Sequence, residues 1–159
     1  MDRAVTVVGA GIMGLWQALT LARRGHAVTL REAMPENSPG AASRFAGAML
    51  APYCEAEAAP PVVQQLGLEG LELWRKTCPG VVQRGSLVVA AARDRAELTR
   101  FAHMTQGHRW LQPGELDTLE PELSGRFAKS LFFPAEAHIA PRAALAFLAW
   151  LVKAGGIVN

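Results

Sequence analysis

The apolar positions at the start of the chain change their period twice. Val5, Val7 and Val8 are β-branched and closely spaced, which predicts a short buried strand. After the break at Gly9-Ala-Gly11, Leu15, Leu19 and Ala22 recur along one helical face, with Ala18 as a small packing residue. Gly25 predicts the helix end, since glycine suits the left-handed cap position. Ala27 to Arg31 then predicts a second strand, with Val28 and Leu30 on one face. The unit is strand, glycine turn, helix, strand.

Residues 33–44 hold Pro35, Asn37, Ser38, Pro39 and Gly40 and predict a loop. Pro60-Pro61 starts a helix running to about Cys78, with a face of Val63, Leu66/Gly67, Gly70/Leu71 and Trp74. Gly85 to Ala90 predicts a strand. Asp94 and Glu97 form an expected capping box for a helix to about Thr105, with Leu98, Phe101 and Ala102 inward. Trp110-Leu111 predicts a short strand, Pro113 to Glu120 a short helix, and Leu131–Phe133 another strand. From Pro141 a strong helix carries Ala144, Phe147/Leu148 and Leu151/Val152 as its stripe. Gly155-Gly156 ends it, and Ile157-Val158 begins a further strand. A helix returning through Gly-Gly to an apolar pair is how a parallel crossover rejoins its sheet. The expectation is therefore an N-terminal part of a longer protein.

Chemistry enters at Glu32, which closes the second strand eighteen residues after Gly14. Gly9 allows the tight turn, Gly11 lets backbone approach a pyrophosphate, and Gly14 lets the helix lie against the sheet. The helix N-terminus favours the phosphates. A carboxylate at Glu32 accepts hydrogen bonds from ribose hydroxyls and repels a 2′-phosphate. The pattern predicts a dinucleotide site that disfavours NADP and leaves FAD and NAD.

Composition narrows the rest. With 159 residues, half of them hydrophobic, the chain has enough for a core of its own. Net charge is +2 without a basic run, which argues against nucleic acid as partner. No stretch of membrane-spanning length is present, so no membrane span is expected. Cys54 and Cys78 offer no metal-ligand spacing and no metal is expected; with no secretory signal, a reduced cytoplasmic setting is the default. Cys54 is expected to be a buried free thiol. His26 is expected as a cap or surface residue, and His103 and His108 as a solvated face beside Gly107. His138 is the histidine worth testing, with packing as its expected role. Trp74, Trp110 and Trp150 are expected as core or interface anchors.

A second constellation follows the dinucleotide unit: Ala41-Ala-Ser43-Arg-Phe-Ala-Gly47-Ala48-Met49-Leu-Ala-Pro52, with Glu55. Small residues there let backbone pass close to a flat ring. With Gly9, Gly11, Gly14 and Glu32, this loop resembles that of the FAD-dependent D-amino-acid-oxidase-like family, and within it the glycine oxidases of thiamine biosynthesis. Gly85-Ser-Leu-Val-Val and the run Leu131-Phe-Phe-Pro134 through Ala137-His138-Ile139-Ala-Pro141 extend the resemblance. It covers the chain but only the first half of a full-length member.

The resemblance implies an α/β architecture: a doubly wound, Rossmann-like FAD-binding domain from residues 1–55 and 131–159, with 56–130 beginning an inserted β-rich substrate domain. It places Gly9, Gly11, Ile12, Met13 and Gly14 at the pyrophosphate turn and Glu32 with Ala33 at the adenosine. Ala42 and Ser43 approach the cofactor. Gly47, Ala48 and Met49 lie against the isoalloxazine, with Met49 facing substrate. Ala48 departs from the family, where glycine is common, and Arg44 and Phe45 are also less typical. The implied reaction takes a hydride from the carbon beside an amine of a small amine or amino acid. The imine hydrolyses, and molecular oxygen is reduced to hydrogen peroxide. No acid/base dyad is expected, and the family's carboxylate-binding arginine has no match here. A homo-oligomer stays open. Two rivals remain: an NAD-dependent dehydrogenase using the same turn, which the Ala42–Pro52 loop disfavours, and a non-catalytic fragment or subunit.

Overall fold

Strand β1 (Ala4–Val8) lies parallel to β2 (Ala27–Arg31), in register from Ala4 opposite Ala27 to Val8 opposite Arg31. The structure, a computed structural model, describes residues 4–34 and 40–155. Helix α1 (Ile12–Arg23) joins the two strands. Its buried face is Leu15, Ala18 and Leu19, and β2 buries Val28 and Leu30. The predicted βαβ unit is thus present. Gly25, at φ +83°, turns the chain out of the helix. The expectation of a buried β1 holds only in part, because Val8 is 82 % exposed. Among the described residues β1 has one strand partner, β2. The predicted strand at Ile157-Val158, and residues 35–39 of the predicted 33–44 loop, lie outside the described residues.

Contact density divides the chain into two units. The first holds residues 1–48, 78–80 and 139–159; the second holds 49–77 and 81–138. Residues 49–55 and 131–138 therefore fold with the second unit, whereas the sequence reading grouped them with the first. Pairing is the reason: β3 (Met49–Leu50) runs antiparallel to β8 (Ala137–Ile139), and β7 (Ser130–Phe133) sits between two other strands. In the first unit, α5 (Pro141–Ala154) packs on α1 and on a 3₁₀ turn at Ala42–Phe45. Its buried stripe is Ala144, Leu145, Leu148 and Val152.

In the second unit β8 also pairs with β4 (Val81–Val82). A second sheet has the order β5 (Ser86–Val89), β7, β6 (Arg109–Leu111), antiparallel throughout. Leu131 and Phe133 from β7 and Leu98 from α3 (Arg95–Met104) form its core, with Phe101 edge-on to Phe133 at 6.1 Å. Short α4 (Pro113–Leu119) buries Leu116.

Four expectations are corrected. Asp94 makes no cap hydrogen bond, because a 3₁₀ turn over Ala92–Asp94 takes it out of the extended conformation a capping side chain needs. Glu97 pairs instead with Arg100 at 2.8 Å. The expected face of α2 (Pro61–Thr77) is covered only in part: Leu71 is buried and Gly67, Gly70 and Trp74 are half-buried, while Val63 and Leu66 are exposed. Gly67 packs on Pro52, where a Cβ would come within 2.8 Å of the ring, so α2 meets the 49–52 segment through a glycine. His108 is not on a solvated face; its ring lies 5.5 Å from that of Phe133 and its Nδ1 is buried. Trp110 and Trp150 stand outside the core at 39 % and 59 % exposure, which removes the core half of their core-or-interface expectation.

Candidate cofactor site

Gly9 leaves β1 at φ +95°, a left-handed conformation that favours glycine. Its amide donates to the Arg31 carbonyl at 2.7 Å, extending the β1–β2 ladder by one step. Gly14 is required for a different reason. A Cβ there would run into the Gly9 carbonyl, so only a hydrogen lets the first turn of α1 close onto the strand end. Gly11 is the extended residue before the helix, with ordinary room around it.

Two side chains hold this turn. The Glu32 Oε2 accepts a 2.5 Å hydrogen bond from the Ala10 amide, and its Oε1 accepts one from the Met34 amide at 3.0 Å. The Ala10 amide, then that of Met34, hold the Glu32 carboxyl below the usual carboxylate range. The Ser43 hydroxyl accepts from the Ile12 amide at 3.3 Å, tying the 3₁₀ turn to the N-terminus of α1. That helix has no acidic residue in its first turn, so nothing there opposes an anion.

Around these groups the surface is apolar and uncovered. Val8 at the end of β1, Met13 in the first turn of α1, Met34 after β2 and Phe45 in the 3₁₀ turn are 82 %, 68 %, 49 % and 71 % exposed. Ligands of parallel α/β sheets bind at such carboxyl ends of strands. The chain thus presents a glycine turn at a helix N-terminus, a carboxylate at the end of β2, and an apolar rim. These are the parts an ADP-bearing dinucleotide uses, so the residues present fit that group.

Ala33 and Ala42 are exposed at either end of the segment joining β2 to the 3₁₀ turn. Gly47 is exposed with no atom near its missing Cβ. Ala48 has φ +63°, the one positive φ outside glycine among the described residues. Its carbonyl accepts from the Ile139 amide at 3.0 Å, which holds the backbone there. Met49 opens the second unit, 61 % exposed and opposite His138 in the β3–β8 ladder. Met49 to Pro52 also wall a cavity of about 240 Å³ closed by Glu55, Val63, Gly67, Gly70, Leu71 and Trp74. Beside Arg44, Phe45 and Ala46 a shallow depression of about 450 Å³ reaches Ala140, Pro141 and Arg142.

One residue escaped the sequence reading. Glu136 is fully buried, and its carboxylate accepts from the Tyr53 and Cys54 amides, each at 2.9 Å, and from the Cys54 thiol at 3.2 Å. Burial, then the neighbouring carboxylate, pushes the Cys54 thiol well above its ordinary range. A lone acid between the apolar runs of β7 and β8 was the signal available. No cluster of three or more metal-ligating side chains occurs among the described residues, and none of their helices is long and apolar enough to cross a membrane.

Fold and site together define a dinucleotide-binding α/β flavoprotein. Residues 4–158 match the family model described as FAD dependent oxidoreductase (DAO), and the chain belongs to that family. FAD is accordingly its cofactor. A Rhizobium etli protein carrying the name thiamine biosynthesis oxidoreductase ThiO is 49 % identical over 146 residues, which is 91 % of this chain and 44 % of that protein. Glycine oxidase of Geobacillus kaustophilus superposes with a TM-score of 0.77 at 25 % identity, over 98 % of this chain and 46 % of that one. Iminodiacetate oxidase of Chelativorans sp. BNC1 has the same fold, with a TM-score of 0.77 at 24 % identity over 98 % of this chain and 46 % of its own. The chain spans less than half the length of these relatives.

Proposed function

We propose that the protein takes part in FAD-dependent oxidation of a small amine or amino acid of the glycine type, with an imine, its oxo product and hydrogen peroxide as products and molecular oxygen as acceptor. The observation that carries this reading is the Glu32-locked glycine turn followed by the Ser43-to-Met49 segment. Bound FAD supplies hydride acceptance, the chemistry the chain's own side chains lack. In this reading Gly9, Gly11, Ile12, Met13 and Gly14 form the turn that holds the pyrophosphate, with the N-terminus of α1 facing it. Glu32 and Ala33 face the adenosine ribose. Ala42, Ser43, Gly47 and Ala48 line the ring system, and Met49 stands on the substrate side. The first unit takes the cofactor role and the second begins the substrate part. A cytoplasmic setting fits the two free cysteines.

Protein expressed from its complete reading frame tests the reading. It should purify yellow, with flavin absorbance released on denaturation, and should evolve peroxide on adding glycine, sarcosine or a small D-amino acid. Colourless protein that binds NAD would favour a dehydrogenase, and protein binding neither would favour a non-catalytic subunit.

A further inference from the structure

We propose that Glu136 is a positioning residue: its buried carboxylate clamps the Tyr53–Cys54 turn and thereby fixes the Met49–Pro52 wall of the cavity against α2. The inference deepens the proposed amine-oxidising reading and rests on it for its kinetic part. Nothing in the fold requires an acid at this place. Burying a carboxylate is costly unless its oxygens are satisfied. Here one oxygen, Oε1, receives both backbone amides and the other receives the thiol. The Glu136 backbone is held as well: its amide donates to the Phe133 carbonyl at 3.2 Å, and its carbonyl accepts from Gly85 at 3.0 Å. A side chain so constrained acts as a fixed post.

What the post holds is the informative part. The segment Met49–Glu55 contributes Met49, Leu50, Ala51, Pro52 and Glu55 to the cavity. At its N-terminal end the segment is secured by the β3–β8 ladder, Met49 opposite His138 and Leu50 opposite Ala137. Ala137 directly follows Glu136. The same short stretch of chain therefore grips the cavity wall at both ends, through its backbone at Met49-Leu50 and through the Glu136 carboxylate at Tyr53-Cys54. Across the cavity α2 presents Val63, Leu71 and Trp74 beside Gly67 and Gly70, and Gly67 packs on Pro52, an apolar contact that carries no hydrogen-bond direction. Without the carboxylate, the Tyr53 and Cys54 amides lose their acceptor, and the far end of the segment keeps only the packing of Tyr53 and Cys54 on the Leu98–Leu131–Phe133 core.

The distribution of bonds over the two oxygens supplies the test. Glu136→Gln keeps an Oε1 for both amides; Glu136→Ala keeps nothing, and Glu136→Asp, one methylene short, serves where the alanine variant does not fold. In protein from the complete reading frame, hydrogen exchange at the Tyr53 and Cys54 amides should accelerate roughly tenfold or more in E136A or E136D, the loss of a bond to a charged acceptor. Exchange in the Leu98–Leu131–Phe133 core should not change. E136Q should stay close to wild type. Turnover should show KM for the amine raised in E136A with kcat preserved, and rescued in E136Q. Unchanged exchange in E136A, uniform loss of protection through the core, or no rescue by E136Q would each overturn the clamp. If the unmodified protein oxidises no amine, the functional proposal fails, and the exchange result alone still decides the clamp.

Discussion

The Glu32 carboxylate and the Ala10 amide are joined by a 2.5 Å hydrogen bond across twenty-two residues of chain. The acid at the end of β2 thus shapes the glycine turn at the end of β1, besides facing any ribose. Its second oxygen is engaged by Met34, yet each carboxylate oxygen has a further lone pair to offer. Glu32→Ala should weaken flavin retention roughly tenfold, on the scale of one charge-assisted hydrogen bond. Glu32→Gln, which accepts at one oxygen, should lie between. Flavin content after dialysis measures both, and equal content in all three proteins would remove Glu32 from the site.

The same bonds give a pH dependence with a definite sign. The folded Glu32 carboxyl titrates below its ordinary value of 4.5, so below that value the unfolded chain binds more protons than the folded one. Its contribution is complete above 4.5 and drains away as pH falls through the depressed folded value. Glu115, held down by the Gln112 amide and Arg109, adds in the same direction. Denaturation midpoints of wild type and Glu32→Gln should therefore converge on acidification, leaving the Glu115 slope in both. Curves that stay parallel from neutral to acid pH would contradict the assignment.

Gly14 tests the packing half of the turn. Gly14→Ala places a methyl group on the Gly9 carbonyl, and overpacking of this kind costs roughly 1–3 kcal/mol. A comparable change at Gly47, which has open space, should cost far less. Thermal melts of the two variants should rank in that order, with cofactor loss following Gly14→Ala.

Much of this was legible before any coordinates, for a physical reason. The βαβ unit is encoded locally, by β-branched spacing, helical period and glycines whose absent side chains have one explanation each. The capping box at Asp94 was not legible, because whether a side chain caps depends on the conformation of the preceding turn, here 3₁₀. The face of α2 misled because helical period marks apolar residues without saying what covers them. Glu136 showed only as a lone acid between two apolar runs, because the role of a buried acid lies in its partners, and Tyr53 and Cys54 lie more than eighty residues earlier. Within the candidate site, Ser43 showed in sequence as a loop residue, but its bond to the Ile12 amide required the fold.

Ser130 offers a test that does not depend on the cofactor. It is fully buried at the β5–β7–β6 junction, and its hydroxyl has no hydrogen-bond partner among the described residues. A buried, unpaired hydroxyl costs roughly 1–3 kcal/mol. Ser130→Ala removes the oxygen and keeps the strand, so it should raise the unfolding free energy by about 1 kcal/mol. A clear loss of stability would mean that the hydroxyl is satisfied, for example by buried water.

Ala48 has the sharpest conformational signature. Its φ of +63° is held by the bond from Ile139 to its carbonyl, at the step where the cofactor loop passes into the β3 strand. An L-residue with a Cβ is disfavoured in this region by about 1–2 kcal/mol, while glycine is not. Ala48→Gly should therefore stabilise the folded protein by about 1 kcal/mol after the extra freedom of glycine in the unfolded chain is counted. Ala48→Val, β-branched at positive φ, should destabilise it. The proposed flavin contact adds a second readout, since removing the methyl group should leave flavin affinity equal or higher. Chemical denaturation with and without added FAD separates the two effects. A stabilised but flavin-free Ala48→Gly would place the strain in the backbone alone, whereas a destabilised one would mean that residue 48 does not hold a left-handed conformation in solution.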